Sequence, residues 1–230
     1  MKRGATLDEP TGAGPAAAAE RVRCKLQEAG VFAVNVVGGP GCGKSTLINT
    51  TVDRLPPDVR VGVITGDLCT HRDELCVARR NGQVVQVKAA DASCLDATQI
   101  EAALDRLDLK KIDLLFVENV GSLTVGRDGL VLGQSATVTV FSVAGGDDKA
   151  RKHPALVEAA DAVILNKIDL LFAVPFDLAG FRADVRQTNP SAELIEIGAL
   201  SARGTGAWFD WLVRGVNRQC QCHEASHWFG

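Results

Sequence analysis

Val31-Phe32-Ala33-Val34-Asn35-Val36-Val37-Gly38-Gly39-Pro40-Gly41-Cys42-Gly43-Lys44-Ser45-Thr46-Leu47-Ile48-Asn49-Thr50 is the most constrained stretch of the chain. Its opening residues are apolar and mostly β-branched, the pattern of a strand buried on both faces of a parallel sheet. Its closing residues can open a helix. Between them, Gly38 to Ser45 fits G-x-x-x-x-G-K-[ST]. The glycines let backbone N–H groups curl round phosphate oxygens at the positive end of the following helix. Lys44 supplies a cation for the outer phosphates, and the Ser45 hydroxyl is placed to hold Mg²⁺. The candidate nucleotide cradle is therefore Gly38, Gly39, Pro40, Gly41, Cys42, Gly43, Lys44, Ser45 and Thr46. A lone G-x-G turn could be punctuation; this pattern between a strand and a helix is far more specific.

Outward from the loop, strand and helix patterns alternate. Strands are expected at Arg60–Thr65, Gln83–Lys88, Leu114–Glu118, Ala136–Ser142, Ala162–Asn166 and Glu193–Ile197. Helices are expected at Ala16–Glu28, stopped by Gly30, and at Lys44–Arg54, Ala97–Leu107, Asp177–Thr188 and Thr205–Asn217. Such alternation implies an α/β fold of the P-loop NTPase type, a mostly parallel sheet with helices on both faces. Three segments follow: a loose tail over residues 1–15, a nucleotide-binding domain over 16–217, and a Cys/His-containing tail over 218–230. Trp208 and Trp211, spaced i and i+3, read as helix packing, and His153 before Pro154 as a solvated loop residue.

Asn166-Lys167-Ile168-Asp169 follows the strand at Ala162–Asn166 and has the form N-K-x-D. A carboxylate at Asp169 can accept paired hydrogen bonds from the N1–H and exocyclic amine of guanine, a donor pair that adenine lacks. Asn166 can brace the loop, and the Lys167 stem can cover the flat face of the base. Leu114–Glu118 delivers Glu118 to the edge where open α/β sheets bind ligands. There it can hold Mg²⁺, directly or through water, or orient an attacking water. Gly121 leaves room for a γ-phosphate. Asp67, in the Gly66-Asp67 pair after the second strand, is a further Mg²⁺ candidate, although Gly-Asp is also an ordinary turn. Lys44, Glu118 and Asp67 are the candidate catalytic residues.

At 230 residues and 46% hydrophobic content, the chain can bury a large core undivided. A net charge of −3 provides no basic field for nucleic acid. No apolar run approaches the roughly 20 residues that span a bilayer. Seven cysteines, an odd number in an α/β nucleotide binder, point to reduced thiols and a cytoplasmic location.

From about Ala16 to Val213 the sequence resembles the HypB-type GTPases, nickel-insertion proteins of [NiFe]-hydrogenase maturation. The resemblance rests on Gly30 to Asn35, Gly66-Asp67, Glu118-Asn119-Val120-Gly121-Ser122-Leu123, Gly145-Gly146-Asp147-Asp148-Lys149, Asn166 to Leu171, Val174 to Asp177, Asn189-Pro190 and Trp208 to Leu212. It implies slow GTP hydrolysis with Mg²⁺, a nucleotide-dependent homodimer, and transfer of metal to a hydrogenase precursor alongside other maturation proteins. It also implies a base-contacting role for Ser201 and Ala202. The urease-maturation GTPases of the UreG type are the nearest alternative.

Departures from that family fall on its metal site. The family carries adjacent Cys-His before Leu-Asp; here the residues are Ser93-Cys94-Leu95-Asp96. The family's Val-Cys-Pro is replaced by Thr124-Val125-Gly126, and the loop after Arg203 is shorter. One thiol does not hold Ni²⁺ or Zn²⁺ tightly. Two clusters could compensate. Cys69-Thr70-His71 with Cys76 is one, for which incidental packing thiols are the favoured reading. The other is Cys220-Gln221-Cys222-His223 with His227, an S₂N₂ set for Ni²⁺ or Zn²⁺ if the tail is extended, with Cys94 as a further candidate ligand. Three function classes remain open: a GTPase metallochaperone, a P-loop small-molecule or nucleotide kinase, and a GTP-dependent assembly protein without metal handling.

Overall fold

The structure is a computed structural model that describes residues 14–66, 77, 82–87 and 94–228, without the side chains of 127, 128 and 222–228. Strand β1 (Phe32–Gly38) is buried along its whole length, as its apolar sequence requires. It lies at the centre of seven parallel strands in the order β3-β2-β4-β1-β5-β6-β7. The others are β2 (Val61–Thr65), β3 (Gln83–Gln86), β4 (Leu114–Glu118), β5 (Ala136–Ser142), β6 (Ala162–Asn166) and β7 (Glu193–Glu196). Every strand expected from sequence is present, and all pairings among the described strands are parallel.

Register aligns the functional ends. Val36 pairs with Glu118, Gly38 with Val140, Thr65 with Glu118, and Ser142 with Asn166. The C-terminal ends of β1, β2, β4, β5 and β6 therefore form one edge. The connection order reverses at β1, between β4 and β5, and that is where ligands sit in open α/β sheets.

Helices cover both faces. Helix α1 (Pro15–Glu28) ends ahead of Gly30, whose φ of 69° suits a residue without Cβ. It packs on α3 (Ala97–Leu104), which opens with a capping box between Asp96 and Gln99. Arg21–Glu101 at 2.8 Å and Lys25–Asp105 at 2.7 Å tie the pair together on the surface. On the opposite face are α2 (Lys44–Arg54) and the long C-terminal helix, and they share a core with Phe32, Val34 and Val36. Four more helices lie among the described residues: α4 (Arg127–Leu130), α5 (Lys149–Lys152), α6 (Pro154–Glu158) and α7 (Leu178–Thr188). The short α4, α5 and α6 escape a sequence reading because each is too brief to show a 3.6-residue apolar period. No helix among the described residues is long and apolar enough to cross a membrane.

The last helix, α8, runs over Thr205–Trp228. Trp208 and Trp211 are buried and stacked at 5.4 Å, and Trp208 Nε1 donates to Thr51 Oγ1 at 2.8 Å. Packing of these two residues is as the i, i+3 spacing predicts. The extended tail is not: the helix continues past Asn217 through Cys220 to Trp228. The residues Gln219 to His227 carry no proline or glycine to stop it, and backbone hydrogen bonding carries it on without an apolar stripe. Positions 220 and 222 then diverge by about 200° around the axis, where an extended segment would set them on one side. Cys220 lies near Arg60, ahead of β2. Cys94 lies at the other end of the sheet, where Leu95 N–H meets Asn119 just past β4. The two cysteines are thus separated by at least a strand's length, roughly 13 Å, and do not share an ion within one chain.

Candidate functional site

The phosphate end of the site is built where α2 begins. Gly43, at φ 98°, reverses the chain into the helix, and a Cβ there would lie 2.4 Å from Asn166 Nδ2. Lys44 is buried, and its Nζ donates to Gly38 O at 3.2 Å. Ser45 Oγ donates to Glu118 Oε1 at 2.5 Å, and Thr65 Oγ1 to Glu118 Oε2 at 3.4 Å. Hydroxyl, carboxylate and hydroxyl thus converge beside the cradle. This all-oxygen donor set is the kind a hard divalent cation such as Mg²⁺ takes. Gly121 runs so close that a Cβ there would sit 3.2 Å from both Lys44 Nζ and Pro40 Cα. Ser122 bridges to Gly38, and Leu123 packs on Gly39.

The base end is fastened to the same loop. Asn166 Nδ2 donates to Cys42 O at 3.0 Å, while its Oδ1 accepts from Lys167 N at 2.7 Å and Ala199 N at 3.1 Å. Lys167 adopts a left-handed conformation, φ 61°, and its Nζ donates to Gly41 O at 2.7 Å. Asp169 and Ser201 flank Gly198 so tightly that a Cβ there would come within 2.6 Å of Asp169 Oδ1 and 2.2 Å of Ser201 Oγ. Ser201 Oγ donates to Gly198 O at 3.2 Å, and Ala202 is left-handed at φ 60°. The N-K-x-D segment and the Ser201-Ala202 turn therefore form one rim despite the shorter loop. Burial pushes the Cys42 thiol up from its ordinary value, so this cradle cysteine is held as a neutral thiol.

Of the transition-metal candidates only the side chains of Cys94 and Cys220 are described, and these two are not brought together. Half-buried Cys94 packs on Gly129 and Val125 within an apolar cluster. Among the described residues no three of His, Cys, Asp and Glu stand together as a metal site. Cys220 is exposed on α8. Cys222, His223 and His227 share that helix, with side chains outside the description. Asp67, Cys69, His71, Cys76 and Ser93 lie outside the described residues.

Sequence reasoning missed Thr65, because a threonine in a strand reads as β propensity. It also missed the buried pair Asn35 and Asn119. An asparagine inside an otherwise apolar strand was the available signal, since burying an amide demands partners.

The family profile described as "CobW/HypB/UreG, nucleotide-binding domain" matches residues 32–196. The hydrogenase maturation factor HypB of Escherichia coli K12 is 38% identical over 194 residues, covering 84% of this chain and 67% of that protein. The Azotobacter vinelandii HypB is 36% identical over 192 residues, and the match spans 63% of its length. The probable HypB of Methanocaldococcus jannaschii is 33% identical, with 86% and 89% of the two chains covered. Among solved structures, HypB from Archaeoglobus fulgidus superposes with a TM-score of 0.83 at 34% identity, over 88% of this chain and 98% of that one. HypB from Helicobacter pylori, solved in complex with nickel, gives 0.81 at 27%, over 89% and 95%. Sequence, sheet order and site thus converge, and the chain belongs to the CobW/HypB/UreG family, on its HypB branch.

Proposed function

We propose that this protein binds GTP with Mg²⁺, hydrolyses it slowly, and uses that cycle in the maturation of a nickel enzyme, by analogy with its HypB relatives a [NiFe]-hydrogenase. The observation that carries the nucleotide reading is the double tie of Asn166 and Lys167 to the carbonyls of Cys42 and Gly41. It holds the Asp169 rim and the phosphate cradle at a fixed separation, as a single guanine nucleotide requires. Lys44 takes the outer phosphates. Ser45, Glu118 and Asp67 are the residues that would hold Mg²⁺, which would neutralise charge on the phosphates during transfer to water. The protein would act in the cytoplasm as a nucleotide-dependent homodimer, with the hydrogenase precursor and other maturation proteins as partners.

Competition binding with fluorescent GTP and ATP analogues tests the base assignment. GTP should win by at least about a hundredfold, because ATP leaves the Asp169 carboxylate unmatched. Equal affinity would point instead to the kinase class. A second reading, a GTP-dependent assembly protein without metal handling, is favoured by the packing of Cys94 against Val125 and Gly129. Equilibrium dialysis with Ni²⁺ and with Zn²⁺, with and without GTP, separates the two: no stoichiometric metal supports the second.

A further inference from the structure

One buried polar network takes no part in the nucleotide chemistry described above, yet begins one residue from it. Asn119 follows Glu118, and consecutive strand residues face opposite sides of a sheet. Glu118 therefore meets Ser45 on the α2 side, while Asn119 enters the core on the other. Asn119 is fully buried. Its Oδ1 accepts from Leu95 N at 2.8 Å and Val120 N at 2.9 Å. Its Nδ2 donates to Gly129 O at 3.0 Å and makes a long contact of 3.5 Å with Asn35 Oδ1. Its own backbone N–H donates to Val36 O at 3.1 Å, two residues before the glycine loop. Asn35, buried on β1, donates to the same Gly129 carbonyl at 3.0 Å.

Only a carboxamide offers an acceptor with two lone pairs and two N–H donors on one short stem. Here that capacity joins three chain segments: the end of β4, the residues after Cys94, and the 120–130 loop. Gly129 in turn packs on Cys94 and Val125. We propose that Asn119 is a positioning residue that couples occupancy of the phosphate site to the apolar patch formed by half-buried Cys94 with buried Val125 and Gly129. A displacement at Glu118 or Gly121, where cation and γ-phosphate would bind, moves the Asn119 Cα directly. Leu95 N–H and Gly129 O follow because leaving either bond broken in the core is costly. The patch around Cys94 thus senses nucleotide through the Asn119 carboxamide. This inference rests on the nucleotide-binding reading.

The test is amide hydrogen exchange on the full ¹⁵N-labelled chain with Mg²⁺ and either GTPγS, GDP or no nucleotide, beside nucleotide affinity on the same samples. Leu95 N–H should exchange at rates differing by at least about fivefold between GTPγS and GDP. Gln99 N–H, held by Asp96 at 2.9 Å and not by Asn119, should not follow. In Asn119→Ala and Asn119→Ser the Leu95 difference should collapse while GTP and GDP affinities stay within about threefold of wild type. Asn35→Ala, an equally buried amide removed from the same carbonyl, should keep the difference. An unresponsive Leu95 in nucleotide-bound wild type overturns the coupling, as does an equal response at Gln99 or an equal loss in Asn35→Ala. If neither Asn119 variant folds, the wild-type contrast between Leu95 and Gln99 decides alone. Absence of nucleotide binding in wild type is a different failure, that of the proposed function.

Discussion

In the proposed function Asp169 takes the base and Lys44 the phosphates, and their substitutions should separate cleanly. Asp169→Asn turns one acceptor oxygen into a donor facing the donors of guanine. It should weaken GTP by about 2–4 kcal/mol and improve xanthosine triphosphate, read by competition binding. Wild-type GTP affinity in that variant would move base recognition elsewhere. Lys44→Ala and Glu118→Ala should both abolish measurable GTP turnover, but only the lysine change should greatly weaken binding of the triphosphate. Turnover surviving in Glu118→Ala would shift the carboxylate role to Asp67. These residues were legible because each sits in a short pattern with fixed spacing. Thr65 and Asn119 were not: their partners are 53 and 24 residues away along the chain, and only strand register brings them together.

Helix α8 changes what the Cys/His segment can do. In an extended chain Cys220 and Cys222 would serve one ion together. On a helix, positions 220, 223 and 227 fall within a sector of about 60°, and position 222 lies away from it. Metal titration should register the difference. If the segment binds Ni²⁺ or Zn²⁺ as a helix, Cys220→Ser should weaken it by at least about tenfold, no less than the loss of an outer-shell partner. Cys222→Ser should leave it unchanged. Equal losses in the two variants would mean that the helix unwinds around the ion. Removal of residues 217–230 should abolish this metal binding while GTP hydrolysis persists, since no described residue of that segment touches the cradle. The helix boundary was hidden because Gln219 to Glu224 alternates thiols and polar groups, giving neither an apolar period nor a stop signal.

Across the whole molecule, the alternation of strands and helices was readable from apolar runs, because a parallel sheet buried on both faces needs them. What held the two ends of the sheet was less visible. At the edge opposite the nucleotide site, Arg60 grips Asp113 with paired guanidinium hydrogen bonds and also donates to Lys110 O at 2.7 Å. The Arg60 hydrogen bonds hold the Asp113 carboxyl below its ordinary value. Its ionised form therefore adds stability above about pH 4 that disappears as pH falls through the lowered value. With Arg60 half exposed, the contribution should be under about 1 kcal/mol. Asp113→Asn should lower the neutral-pH unfolding midpoint slightly and leave the acid limit unchanged, as followed by circular dichroism. Optically, the packing of α8 has a further result. The chain holds three tryptophans and no tyrosine, and Trp208, Trp211 and Trp228 all belong to that one helix. Ultraviolet emission therefore reports on a single element. Trp208 is hydrogen-bonded to Thr51, about 9 Å along the helix that opens with Lys44 and Ser45, so a native, label-free chromophore is fastened to the element that nucleotide would meet.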